Sequence, residues 1–280
     1  MKYIDLHTHS VCSDGSMTPA EVVRAARDAG LSAIALSDHD TTDGVAEAMA
    51  EGDRLGIEVI PAIELSAASE TETHILGYYI DPDSPALREK IDHIRRVRIR
   101  REEEICERLT ALGMPVTIEE VREIAGGEVV CRIHIARAMM AHGYVASVRE
   151  AFAEYLSSGK PAYSPTQALT DTEAVRLIKQ AGGLAFVAHL NQTRRSPDSL
   201  RQFLSRLKDS GLDGVEGYYT EYTPEMQRDY QALASELGLM LSGGSDFHGA
   251  NKPHIAIGRG TGDLRVPYEV LEKMKSAFGR

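Results

Sequence analysis

The chain has 280 residues, 42% of them apolar and 26% charged, which is ordinary for a globular protein with one large core, or one domain carrying an insertion. Its formal net charge of -11 argues against life on a nucleic-acid backbone or an anionic membrane, because the summed field repels both. A small anionic substrate stays open, since bound metal can reverse the field locally.

The start, Met1-Lys2-Tyr3-Ile4-Asp5, leads straight into a strand at Tyr3–Leu6. It lacks the charged start and apolar stretch of a signal peptide, and no apolar run is long enough to span a bilayer, so a cytoplasmic protein is expected. Thr18-Pro19-Ala20-Glu21 is a capping box with proline at the first helical position, and Gly30 closes that helix. A strand at Ala33–Leu36, a helix through Ala46–Leu55 ended by Gly56, and strands at Glu58–Ile63 and Thr73–Ile80 follow. This rhythm predicts a parallel α/β arrangement.

From about Ser84 to Ser164 the pattern is helical. Ile91, Ile94, Val97, Ile105, Leu109 and Leu112 recur at helical spacing, interleaved with Arg95, Arg96, Arg98, Arg100 and Arg101 and followed by Glu102–Glu104. The charges predict a salt-bridged helix face. Shorter helices are expected from Thr117, over Ile133–Ala141 and over Val148–Leu156. After Ser164 the alternation returns, with strands at Leu184–Ala188, Gly214–Tyr218 and Leu239–Ser242. Helices are expected at Thr172–Gln180, Leu200–Lys208, Pro224–Glu236 and Tyr268–Phe278. The expected division is therefore 1–84 and 165–280 as two parts of one α/β unit of about seven strands, with a helical insertion at 85–164.

Chemistry concentrates at the strand ends. His7 and His9 lie two apart at the end of the first strand and so face the same way. Asp38-His39-Asp40 follows the second strand, Glu64 the third, and His74 starts the fourth. His189 ends the strand at Leu184–Ala188, and Asp246-Phe247-His248 follows the last. In a parallel α/β sheet the carboxyl ends form one rim, where active sites lie. Imidazole and carboxylate without thiolate suit zinc, manganese or iron. Cys12, Cys106 and Cys131 form no CxxC pair, and Cys12 reads as an apolar cysteine. Six histidines and three acids are too many for one ion and suit two or three. The positive field left by such a cluster favours a phosphate ester.

These residues resemble the polymerase-and-histidinol-phosphatase (PHP) family of metal-dependent phosphoesterases. The segments that carry the resemblance are Asp5-Leu6-His7-Thr8-His9-Ser10, Ser13-Asp14-Gly15, Ser37-Asp38-His39-Asp40, Glu64, His74, Ala188-His189 and Gly244-Ser245-Asp246-Phe247-His248. The resemblance implies an α/β fold, a distorted (β/α)7 barrel carrying the helical insertion. It implies one metal site from His7, His9, Glu64 and Asp246, a second from Glu64, His74 and His189, and a third from Asp14, His39 and His248. It also implies attack on phosphorus by a metal-bridging hydroxide. Manganese is the expected metal, with zinc or iron as alternatives.

Arg132-Ile133-His134-Ile135-Ala136-Arg137-Ala138 and Gly159-Lys160-Pro161-Ala162-Tyr163 are similar to one branch of the family. That branch includes phosphatases of 3',5'-bisphosphorylated nucleotides and enzymes that trim short RNA from the 5' end. The branch usually has proline where this chain has Ile133 and Leu190. The expected substrate contacts are Arg132, His134 and Lys160 from the insertion and, more weakly, Asn191 and Arg194 or Arg195. His134 and Asp246 are expected to act catalytically, with His134 or a metal-bound water as the general acid. The expected partner is a small phosphorylated nucleotide, with short oligoribonucleotides or histidinol phosphate as alternatives. An amidohydrolase would usually place a lysine at a strand end, and none stands there. A non-catalytic module would tolerate gaps, but all nine ligand positions are filled.

Overall fold

A computed structural model describes residues 2–68, 73–126, 129–165 and 169–279. The chain order is β1 (Tyr3–Thr8), α1 (Pro19–Asp28), β2 (Ala33–Leu36), α2 (Val45–Leu55), β3 (Glu58–Ala67) and β4 (Thr73–Tyr78). Then come α3 (Pro85–Ala111), α4 (Ile118–Ala125), α5 (Arg132–Ala141) and α6 (Val148–Ala151), the last running into a π-helical turn at Phe152–Leu156. The chain continues with α7 (Asp171–Gln180), β5 (Leu184–Val187), α8 (Pro197–Lys208), β6 (Gly214–Tyr219), α9 (Pro224–Leu237), β7 (Met240–Gly244), β8 (Val266–Pro267) and α10 (Glu269–Phe278). The Thr18–Glu21 capping box forms as expected, with Pro19 in the first turn of α1. No helix among the described residues is long and apolar enough to cross a membrane.

The strands make one sheet in the order β7-β6-β5-β4-β3-β2-β1-β8. At its far end the sheet nearly closes. The Asp246 N–H donates to the His7 carbonyl and the His9 N–H to the Phe247 carbonyl, each at 2.9 Å, joining β1 to the segment after β7. A Cβ on Gly244 would collide with His7, so only glycine permits this approach.

Two strands depart from the parallel arrangement that the alternation predicts. β4 runs antiparallel to both β3 and β5, and β8, a two-residue strand absent from the seven expected, pairs antiparallel with β1. The reversal of β4 brings its first residues to the rim formed by its neighbours' carboxyl ends. That is why His74, at the start of its strand, belongs with residues that end theirs.

Side-chain alternation sends successive residues into different cores. Ile75 and Val187 join the cluster packed under α7 and α8, while Leu76 and Phe186 join the one closed by α10. Residues 105–162 have an apolar cluster of their own, built on Ile105, Leu109, Val121, Ile135 and Met139. Arg101 of α3 comes within 3.6 Å of Glu102, but two other arginines of the helix pair beyond it. Arg95 bonds Thr41 and Asp43, and Arg98 bonds Asp40 and Ser66, so this helix face is tied to the loop after β2 and to β3.

Candidate metal centre

The rim gathers all nine expected side chains, with Glu64, fully buried, shared by two of the groups they form. Its Oε1 lies 3.0 Å from His74 Nδ1 and 3.0 Å from His189 Nε2. Its Oε2 lies 3.2 Å from His7 Nε2, 3.3 Å from His9 Nε2 and 3.2 Å from His39 Nδ1. Asp246 Oδ1 lies 3.3 Å from His9 Nε2 and 3.6 Å from His7 Nε2. Asp14 approaches His248 at 3.1 Å, His9 at 3.7 Å and His39 at 3.8 Å. Thus His9 reaches towards Asp14 as well as towards Glu64 and Asp246, and four groups of potential ligands overlap.

Atoms bound to one ion at about 2.1 Å stand about 3–3.5 Å apart, and most of these separations fall there. Polar satisfaction gives a second test. His7 Nε2, both ring nitrogens of His9 and Glu64 Oε2 are buried with no hydrogen-bond partner among the described residues. Such atoms are costly unless something polar occupies the space between them. A cation suits both the donor chemistry and the spacing. Burial opposes the charge on Glu64, yet the surrounding His39, His7 and His74 hold its carboxyl well below the usual range.

Supporting contacts fix the rings and loops. His248 Nδ1 donates to the Asp246 carbonyl at 2.8 Å, which leaves Nε2 facing Asp14. Asp38 is no part of the cluster. It accepts from the Ser10 N–H and from the hydroxyls of Ser10 and Ser13, fixing the loop that leads to Asp14. Asp5 does the same for Ser245 and His7. His189 and Asp246 both hold positive φ, at 25° and 56°, a strained backbone of the kind kept at functional sites.

Three side chains that the sequence reading passes over meet this cluster. Glu216 accepts from His7 Nδ1 at 3.0 Å and from the His189 N–H at 2.7 Å. Tyr219 donates to Asp246 Oδ2 at 3.0 Å, and Lys252 donates to the same oxygen at 2.7 Å. Burial opposes the Lys252 charge, but Asp246 beside it overrides this and raises its ammonium above the usual lysine value.

Above the cluster opens a cavity of about 950 Å³, lined by Arg98, Arg101, Arg132, Arg149, Lys252 and His254 among others. Arg132 lies over the rings of Phe152 and Tyr163. The other expected substrate contacts, His134, Lys160, Asn191 and Arg194, are not among the lining residues. Asn191 instead reaches Glu221, and Arg194 sits in a left-handed turn at φ 52°. His134 turns back to its own helix start, where Nδ1 accepts from the Cys131 N–H at 3.0 Å. Burial pushes its imidazole down to about 4, so at neutral pH the ring is uncharged. The Cys12 thiol is pushed up to about 11 by burial, consistent with an inert cysteine.

Comparison with known proteins accords with this geometry. The PHP domain model matches residues 5–244. The chain is 34% identical to the 5'-3' exoribonuclease Rnm of Escherichia coli, over 91% of this chain and 88% of that one. It is also 34% identical to a 3',5'-nucleoside bisphosphate phosphatase of Chromobacterium violaceum, over 89% and 88% of the two chains. Among solved structures, a Bifidobacterium adolescentis protein assigned as a metal-dependent phosphoesterase superimposes with a TM-score of 0.88 at 30% identity, covering 100% of this chain and 99% of its own. A C. violaceum protein described as an amidohydrolase, solved with sulfate and no metal, gives 0.89 at 31%, covering 98% and 96%. The chain belongs to the PHP family of metal-dependent phosphoesterases.

Proposed function

We propose that the protein is a phosphomonoesterase that removes the 3'-phosphate of a 3',5'-bisphosphorylated nucleotide, as in adenosine 3',5'-bisphosphate to AMP and phosphate. The observation that carries this reading is the cavity of about 950 Å³ with the histidine–carboxylate cluster in its floor and arginines on its wall. That volume suits a nucleotide better than a lone phosphate. The name of the C. violaceum relative supports the choice.

In this reading the cluster holds two or three divalent ions, manganese first, with zinc or iron as alternatives. His7, His9, Glu64 and Asp246 would hold one, and Glu64, His74 and His189 a second. Asp14, His39 and His248, with His9 beside them, would hold the third. When bound, the ions neutralise phosphoryl charge and acidify water. The chain's own residues bind and orient. Arg132 offers a planar fork to a phosphate, and Lys252 restrains Asp246 while adding positive charge to the wall. An uncharged His134 donates a hydrogen bond at most, and we assign it no proton-transfer step. Of the five side chains expected to contact substrate, Arg132 is the one this reading keeps.

A second reading, 5'-to-3' exonuclease action on short oligoribonucleotides, is supported by the equal identity to the E. coli relative. Release of phosphate from adenosine 3',5'-bisphosphate, measured beside histidinol phosphate, short oligoribonucleotides and an amide panel with manganese-loaded protein, ranks these readings. Turnover of the bisphosphate is expected to lead. No turnover of it sinks the proposal, and mononucleotides released from the oligomer as the dominant reaction favour the second reading.

A further inference from the structure

Glu216 sits in the middle of β6, fully buried, with Val215 on one side and Gly217 on the other. A carboxylate in such a strand needs hydrogen-bond donors, and both of its oxygens find them on cluster residues. Oε1 accepts from His7 Nδ1 at 3.0 Å and Oε2 from the His189 backbone N–H at 2.7 Å. With Nδ1 donating to Glu216, the His7 ring turns Nε2 towards Glu64 and Asp246, at 3.2 and 3.6 Å. His189 holds an unusual backbone, φ 25° and ψ 67°, and its N–H bond to Glu216 keeps Nε2 3.0 Å from Glu64. Tyr222, just beyond the end of this strand, adds a second tie: it donates to the Glu216 carbonyl at 3.1 Å and accepts from the Leu190 N–H at 2.7 Å.

The geometry points to Glu216 as the positioning residue of the metal centre, a single carboxylate that sets two candidate ligands, His7 and His189, on either side of Glu64. It is not among the cavity-lining residues, so it acts through those two histidines and not on substrate. The inference rests on the metal-centre reading above. It makes His7, Glu64 and His189 one mechanically coupled group, while Asp14, His39 and His248 depend on other supports.

The test compares metal-loaded wild-type protein with Glu216→Gln. The amide keeps the shape but can accept only through one atom, so one of the two donors loses its partner. In competition with a chelator, the variant is expected to lose one class of ion about 10–100-fold more readily, the usual effect of removing a carboxylate behind a ligating histidine. A second class of ion should stay as tight as in wild type, and kcat should fall with KM unchanged. Equal retention of every ion overturns the inference, as does loss of all ions in step with loss of the folded circular-dichroism signal. A second measurement needs no variant. In zinc-loaded wild-type protein, 15N histidine spectra should show His7 protonated at Nδ1 and metal-bound at Nε2, and the reverse arrangement overturns the assignment. Wild-type protein that takes up no divalent ion would remove the metal-centre reading itself, whereas a loaded wild type with an indifferent variant removes Glu216 alone.

Discussion

The barrel rim and the helices of residues 85–164 solve opposite problems. On the rim, rings and carboxylates, most of them buried and Asp14, His39 and His74 partly so, stand 3–4 Å from one another and are fixed by strand backbone and by supporting acids such as Asp5 and Asp38. Residues 105–162 bury an apolar cluster of their own, while Leu87, Ile91 and Ile94 of α3 pack into the core under α7 and α8; arginines reach the rim, Arg95 to Asp43, Arg98 to Asp40, and Arg137 to Asn251, which in turn donates to the Asp14 carbonyl. The rim is built to hold charge at fixed points. The helices place cations over it through long side chains.

That separation can be broken experimentally. The largest effect is expected at the rim: Glu64→Gln, or chelation of wild-type protein, should lower turnover by about a hundredfold to a thousandfold, on the scale of losing a transition-state stabiliser. Metal content by elemental analysis should fall with it. Full activity with an empty centre would end the metal reading.

Next comes His134, on the helical side. Its folded value of about 4 lies below the ordinary 6.5, so the unfolded chain binds the proton more readily. Stability from this residue is thus complete above about pH 6.5 and is lost as pH falls towards 4, by up to about 3 kcal/mol. His134→Gln, which can still accept from the Cys131 N–H, should flatten that slope in urea titrations between pH 7 and 4.5. Parallel pH profiles for the two proteins would count against a neutral buried ring.

Arg132→Ala should raise KM about tenfold to a hundredfold, the loss of a charge-assisted contact, with metal content unchanged. A fall in kcat with KM intact would place Arg132 on the reacting phosphoryl group. The smallest effect is expected at Arg95→Ala, a pair with an exposed partner in Asp43, worth at most about 1 kcal/mol in thermal unfolding.

Much of the rim is legible in the sequence because its residues sit at strand ends, and spacing of two on a strand fixes a shared face. The support behind it is less so. Glu216 and His7 are far apart in the chain, and only the closed sheet brings them together. The signal available was chemical: a carboxylate inside the apolar strand at 214–219 needs a partner. The direction of β4 also had a signal, since the short link between Ala67 and Thr73 cannot make the crossover that a parallel pair requires. Periodicity reports faces, not strand direction. The placement of His134 escaped for a third reason: a side chain at the start of a helix can face a site or cap its own backbone, and residue type does not decide between them.

The seam between His7 and the residues around Asp246 has a kinetic consequence. Among the described residues, two of the four groups of potential ligands, His9 with Asp14, His39 and His248, and His7 with His9 and Asp246, join histidines at the end of β1 to residues after β7, and these come together only when the sheet closes. Contacts of such long sequence separation form late and slowly in folding. An ion therefore cannot template the early chain through the full cluster. Metal uptake should follow closure of the barrel, and a slow final phase in refolding should coincide with the acquisition of tightly held metal.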